Sequence, residues 1–116
     1  MKGKPLLPTL RTKKRYVVYE ARYDSPIGLS KVFNTIKDSY KECFGIFGLG
    51  ESGLMDTKIY NEANKRGILK INTKYVGDLK VAIPMIEKID GKDAAVRTIV
   101  TSGILKKAKL MLLRRI

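Results

Sequence analysis

The apolar residues of this chain change their spacing several times, and the order of those changes narrows the folds open to it. From Arg15 to Tyr23 they alternate, with Val17, Tyr19, Ala21 and Tyr23 on one side and Tyr16, Val18, Glu20 and Arg22 on the other. A period of two is that of a pleated strand, and tyrosine and valine suit one. Asp24, Ser25, Pro26 and Gly28 break it. The spacing then becomes three and four: Leu29, Phe33, Ile36, Tyr40 and Phe44 form one apolar helical stripe. Ser25 or Ser30 is placed to cap its start, and Gly45 to stop it. The glycine-rich stretch 45–53 reads as loop. Leu54 to Asn61 and Gly67 to Thr73 are short strands joined through Glu62 to Arg66, which is hairpin spacing. Helical spacing returns from Lys74 to Ile89 with Val76, Leu79, Ile83 and Ile86, and Pro84 kinks this helix or ends it early. Asp90-Gly91 is a tight turn, and Ala94 to Ser102 is a β-branched strand. Residues 104–116 form a last amphipathic helix, with Ile104, Ala108, Met111 and Leu112 set against Lys106, Lys107, Lys109 and Arg114.

The resulting order is β-α-β-β-α-β followed by a helix. This is an α+β, ferredoxin-like plan, also used by the RNA recognition motif. Right-handed crossovers place both long helices on one face of a four-stranded antiparallel sheet. At 116 residues the chain is one domain. Residues 1–14, with Pro5 and Pro8 and no periodicity, read as an extended basic arm, and 15–116 as the RRM-like domain including the helix 104–116.

The net charge is +13, and its placement says more than its size. Residues 1–15 hold six basic groups (Lys2, Lys4, Arg11, Lys13, Lys14, Arg15) and no acid. Residues 94–116 hold six more (Arg97, Lys106, Lys107, Lys109, Arg114, Arg115) and no acid. All 11 carboxylates lie between, against 12 basic residues. A lysine-rich thermophilic surface would carry glutamate in similar number throughout. Two cationic ends on a near-neutral body present charge to a polyanion, and a pI near 10 fits nucleic acid. The residues placed to meet it are Arg11, Lys13, Lys14 and Arg15 in the arm, then Lys106, Lys107, Lys109, Arg114 and Arg115 at the other end.

Other chemistries find little support. One cysteine, Cys43, excludes an internal disulfide and a cysteine-rich zinc site, and points to a reducing, cytoplasmic setting. Beside the apolar stripe and without any histidine to activate it, Cys43 reads as a buried structural thiol. The absence of histidine removes the commonest general base and metal ligand. Asp24, Asp38, Glu42, Glu51, Asp56 and Asp78 are scattered, which argues against a carboxylate-only nuclease using magnesium. Asp38 and Glu42, beside Lys37 and Lys41, read as solvated surface. Gly48-Leu49-Gly50-Glu51-Ser52-Gly53 spells G-x-G-x-x-G, but a dinucleotide site needs a strand before it and a helix after, and here the order is reversed. No apolar run approaches the roughly 20 residues of a membrane span, and no signal-peptide core follows the basic start. The last helix lacks the Trp and Phe of a membrane-surface helix. Arg66-Gly67-Ile68-Leu69-Lys70-Ile71 begins like an RNA recognition motif, yet Ile68 and Lys70 stand where that motif places stacking aromatics. The sheet face is therefore not a single-strand platform, and contact falls to the arm, the helix ends and backbone shape. Ser102-Gly103, just before the last helix, serves either a phosphate at free N–H groups or an ordinary cap.

Several segments together resemble a known family. Leu7-Pro8-Thr9-Leu10-Arg11, then Lys13-Lys14-Arg15-Tyr16 entering a strand, is similar to the opening of archaeal ribonuclease P protein component 2. Gly67-Ile68-Leu69-Lys70-Ile71-Asn72 before Tyr75-Val76 resembles its third strand and second helix, and Ser102-Gly103-Ile104-Leu105-Lys106-Lys107 its strand-to-helix ending. The resemblance spans residues 6 to about 109. It implies a non-catalytic subunit of an RNA-catalysed endoribonuclease that removes 5′ leaders from precursor tRNA, with magnesium held by the RNA and no cofactor on this chain. It also implies a partner, the TIM-barrel-like protein component 3, in a two-plus-two assembly with self-contact, and eukaryotic relatives that serve RNase MRP. A general structured-RNA- or ribosome-binding module of the same fold is the alternative.

Overall fold

The computed structural model describes residues 13–24 and 28–114. Its elements run β1 (Lys14–Arg22), α1 (Leu29–Ser52), β2 (Met55–Asn61), β3 (Arg66–Asn72), α2 (Val76–Ala82), β4 (Lys88–Ile89), β5 (Lys92–Asp93), β6 (Ala95–Ser102) and α3 (Leu105–Met111). β2, β3, β1 and β6 pair antiparallel in that order into a four-stranded sheet. β4 and β5 form a separate small hairpin before the last strand. The α+β, ferredoxin-like plan stands.

The alternation along β1 sorts the molecule into layers. Val17, Tyr19 and Ala21 face α1 and α2, where they join Leu69 and Ile71 of β3, Val32, Ile36 and Tyr40 of α1, and Leu79 and Ile83. Val18 and Ile68 point the other way and are covered by Ala108 and Leu112 of the α3 segment. Ile68 and Leu69 are neighbours on opposite faces, and both are fully buried. Each such side chain contributes about 1.5–3 kcal/mol by leaving water. The face on which an RNA recognition motif displays its aromatics is thus occupied by the protein's own last helix.

Several local expectations are corrected. Gly45 does break α1, with φ 80 and ψ 170, a conformation that favours glycine. The chain then resumes helix to Ser52, so most of 45–53 is not loop. Leu49 packs against the core from this segment, and the Ser52 hydroxyl donates to its carbonyl at 2.7 Å. Packing thus outweighs the poor helix propensity of Gly48 and Gly50, about 1 kcal/mol each. Gly53, with φ 66, ends the helix in the left-handed conformation. The N-cap is Gly28 rather than Ser30, without a side-chain bond; Ser25 lies outside the described residues. Cys43 is exposed, not buried. The buried residues of the helix before its break are Leu29, Val32, Ile36 and Tyr40, and burial ends before Cys43 is reached.

The helix expected from Lys74 to Ile89 is shorter. It ends at Ala82 and passes into a 3-10 turn at Ile83–Met85, where Pro84, lacking an N–H, sits in the first turn. Lys88 and Ile89 are strand instead, and the turn to β5 places both Asp90 (φ 55) and Gly91 (φ 76) in the left-handed region. Of the helix expected at 104–116, Leu105–Met111 is helical and 112–114 is not, while 115–116 lies outside the described residues. Ile104 is the N-cap of this helix and is exposed, so the apolar face is Ala108 and Leu112, buried, with Leu105 and Met111 partly buried against them.

Candidate nucleic-acid interface

The position of α3 is set by side chains that bind the carbonyls at its C-terminal end. Those carbonyls have no partner within the helix. Arg66, at the start of β3 and only 5% exposed, donates through one guanidinium nitrogen to the Met111 carbonyl at 2.8 Å and to the Arg114 carbonyl. Asn61 and Asn64 donate to the Leu112 carbonyl at 3.1 and 2.8 Å. The other side of Arg66 meets Glu20 at 2.9 Å, and Arg97 meets the second oxygen of that carboxylate at 2.9 Å. Burial works to raise the Glu20 carboxyl, but hydrogen bonds from Arg66 and Arg97, with both guanidinium charges, hold it below the usual carboxylate range.

With α3 fixed, a groove of about 630 Å³ opens between it and the ends of β1 and β6. Arg15, Val100, Thr101, Ser102, Gly103, Ile104, Lys107, Leu110, Met111 and Arg114 line it. Tyr16 of β1 pairs with Ser102 of β6, which carries neighbouring Arg15 to the strand-to-helix junction. There a Cβ on Gly103 would stand 2.8 Å from an Arg15 guanidinium nitrogen, so the glycine leaves the room that Arg15 occupies. The Ser102 hydroxyl accepts from the Ile104 N–H at 3.0 Å, a turn that orders the residue before the helix, while the N-cap is Ile104 and has no side-chain cap bond. Among the described residues, three cations and no carboxylate line the groove.

The expected RNA-facing residues separate into groups. Arg15, Lys107 and Arg114 come together. Lys109 lies on the other flank of α3, in a second groove with Ile59, Tyr60 and Glu62. Lys106 and Lys13 are exposed elsewhere, and the Lys13 carbonyl accepts from Thr73 N–H at 2.8 Å. The Lys14 ammonium donates to Asn72, whose amide in turn donates to the Glu51 carbonyl at 2.9 Å. Arg11 and Arg115 lie outside the described residues. The sequence reading missed the anchoring role of Arg66, whose partners are 45 or more positions away, and it missed Leu110; it singled out Gly103 with Ser102, but not for the room it leaves Arg15. Leu110 could have been found, because Lys107, Leu110, Met111 and Arg114 recur at spacings of three and four.

Among the described residues no three His, Cys, Asp or Glu gather as a metal site, and no helix is long and apolar enough to cross a membrane. The model of the Rpp14/Pop5 family matches residues 15–113. Ribonuclease P protein component 2 of Thermococcus gammatolerans is 29% identical over 108 residues, covering 93% of this chain and 89% of that one. Its counterpart in Pyrococcus horikoshii is 32% identical over 112 residues, with the same coverage, and that of Methanobrevibacter smithii is 32% identical, covering 91% and 93%. A chain in the cryo-EM structure of yeast ribonuclease MRP shares the fold, with a TM-score of 0.62 at 14% identity over 88% of this chain and 87% of that one. A basic α+β protein with a cationic groove and this match over most of its length is placed with the protein components of ribonuclease P. The chain belongs to the Rpp14/Pop5 family.

Proposed function

We propose that this chain is the small basic protein subunit of a ribonuclease P ribonucleoprotein, binding and stabilising the RNA that removes 5′ leaders from precursor tRNA. The observation that carries this reading is the meeting of the two cationic ends: Arg15 joins Lys107 and Arg114 in one groove free of carboxylates. A folded RNA repels itself through its phosphates, and a protein that places cations against them favours the compact state. Shape and phosphate contact suit structured RNA, whose base edges are largely hidden. The cleavage chemistry belongs to the RNA and its magnesium, and this chain supplies neither catalytic group nor cofactor. Its protein partner is component 3 in a two-plus-two assembly that includes self-contact, precursor tRNA is engaged through the complex, and the site of action is the cytoplasm. The exposed Ile46, Phe47 and Met55 offer apolar area for a protein neighbour.

Gentle purification of the tagged chain from its source cell, with sequencing of the co-purifying RNA and mass spectrometry of the proteins, tests this. Ribonuclease P RNA with a TIM-barrel-like partner is the expected recovery. Ribosomal RNA, or a broad mixture without a partner, would replace the proposal with a general RNA-binding module.

A further inference from the structure

The groove beside α3 has a mixed character that backbone neutralisation alone does not use. A surface that only met phosphates would have no use for apolar walls. This one is concave, within the roughly 300–1,000 Å³ usual for sites of small organic groups. Its walls include the apolar side chains of Ile104, Leu110 and Met111. Ile104 is 53% and Leu110 63% exposed, so these groups are turned to solvent rather than spent on the core. Lys107 and Arg114 stand on either side of Leu110 and Met111 along the chain, and Arg15 enters from the opposite wall over Gly103.

Apolar surface between separated cations fits a group that is flat and weakly polar at its centre and anionic at its edge. We infer that the groove takes a single unpaired nucleotide of the bound RNA, with its base against Ile104, Leu110 and Met111 and its flanking phosphates at Arg15, Lys107 and Arg114. This inference rests on the RNA-binding reading above and adds to it. Unpaired nucleotides are the parts of an RNA whose bases can be splayed out and packed on side chains or on an arginine guanidinium plane. A protein helix or strand of mixed charge would bring carboxylates and amides to the groove, but its backbone would carry no regular negative charge for three converging cations.

Binding of the full chain to three RNA hairpins tests this by fluorescence anisotropy: one fully paired, one with a single-nucleotide bulge, and one with an abasic bulge that keeps the phosphate. The bulged hairpin is expected to bind about tenfold more tightly than the other two, the effect of taking part of one base face out of water against aliphatic side chains. Leu110→Ser, at an exposed position, is expected to abolish that preference, with urea unfolding of the variant confirming that the fold is kept. Gly103→Ala keeps every charge but displaces Arg15, and is expected to reduce the preference. Equal binding of bulged and abasic hairpins, or a preference that survives Leu110→Ser, would overturn the assignment. Failure to bind any hairpin would overturn the RNA-binding reading with it. Capture of a partner protein through a surface sensitive to Leu110→Ser, without preference for the bulge, would reassign the groove to a protein contact.

Discussion

Arg66 and Glu20 are directly opposed on β3 and β1, and their side chains meet at 2.9 Å on the sheet face beneath α3. The same guanidinium holds the carbonyls of Met111 and Arg114. One cross-strand pair therefore links the centre of the sheet to the end of the last helix, and that helix forms one wall of the cationic groove.

Replacing Arg66 by Ala should cost more than any surface charge. It leaves Glu20 partly buried with one guanidinium fewer and frees two helix-end carbonyls. Breaking such a pair costs about 3–5 kcal/mol. Urea unfolding should show a lower midpoint with an unchanged slope. Hydrogen exchange should show the Ala108 and Leu112 amides losing protection ahead of the β1 amides, and uniform loss across the domain would contradict this division of roles.

The depressed Glu20 carboxyl ties stability to acid. Its unfolded value is near 4.5, and the folded value is lower. As pH falls through that window the unfolded chain takes up the proton first, so the contribution is complete above the unfolded value and is lost as pH drops through the folded one. Glu20→Gln should be clearly less stable than the parent at pH 7, and the difference should shrink towards pH 2.5. A constant gap in urea midpoints across that range would mean that the carboxylate's charge is not what holds Arg66.

Gly67 is fixed by its neighbour. It pairs with Tyr19, and a Cβ there would meet the hydroxyl oxygen of that side chain first, then Cζ at 2.6 Å and Cε2 at 2.8 Å. Tyr19 is fully buried and has no room to swing aside. Gly67→Ala should therefore destabilise by about 1–3 kcal/mol, the usual cost of overpacking. Adding Tyr19→Phe should restore only part of the loss in thermal unfolding, because it removes the hydroxyl but leaves the two clashing ring carbons.

The order of elements was legible because each strand and helix carries its own period, and periods are local. Apart from the local β4–β5 hairpin, what was not legible depended on distant partners. Residues 45–53 look like loop from their glycines, yet 46–52 is helical, with Leu49 packed on the core and Ser52 buried. Arg66 and Gly67 look like a nucleic-acid signature, yet they hold α3 in place and make room for Tyr19. Lys14 and Arg15 are adjacent in sequence, but the register of β1 sends one to Asn72 and the other to Gly103. The run of positive charge was visible from the sequence, whereas its division into groove-lining and structural cations required the fold.

That division makes the last prediction. If Arg15, Lys107 and Arg114 meet phosphates, alanine at each should weaken RNA binding similarly across sequences. Each such change should also reduce the salt slope by about 0.7–0.9 for every phosphate left without its cation. The parent chain, neutralising roughly six to ten phosphates, should fall about 10³–10⁵-fold in affinity between 50 and 200 mM salt. Lys14→Ala and Lys109→Ala should change the slope less, since one ammonium is engaged by Asn72 and the other lies on the far flank of α3. Titrations of ribonuclease P RNA at several salt concentrations separate the cases. A slope unchanged in the three groove variants but reduced in Lys109→Ala would move the RNA to the second groove, beside Tyr60 and Leu113.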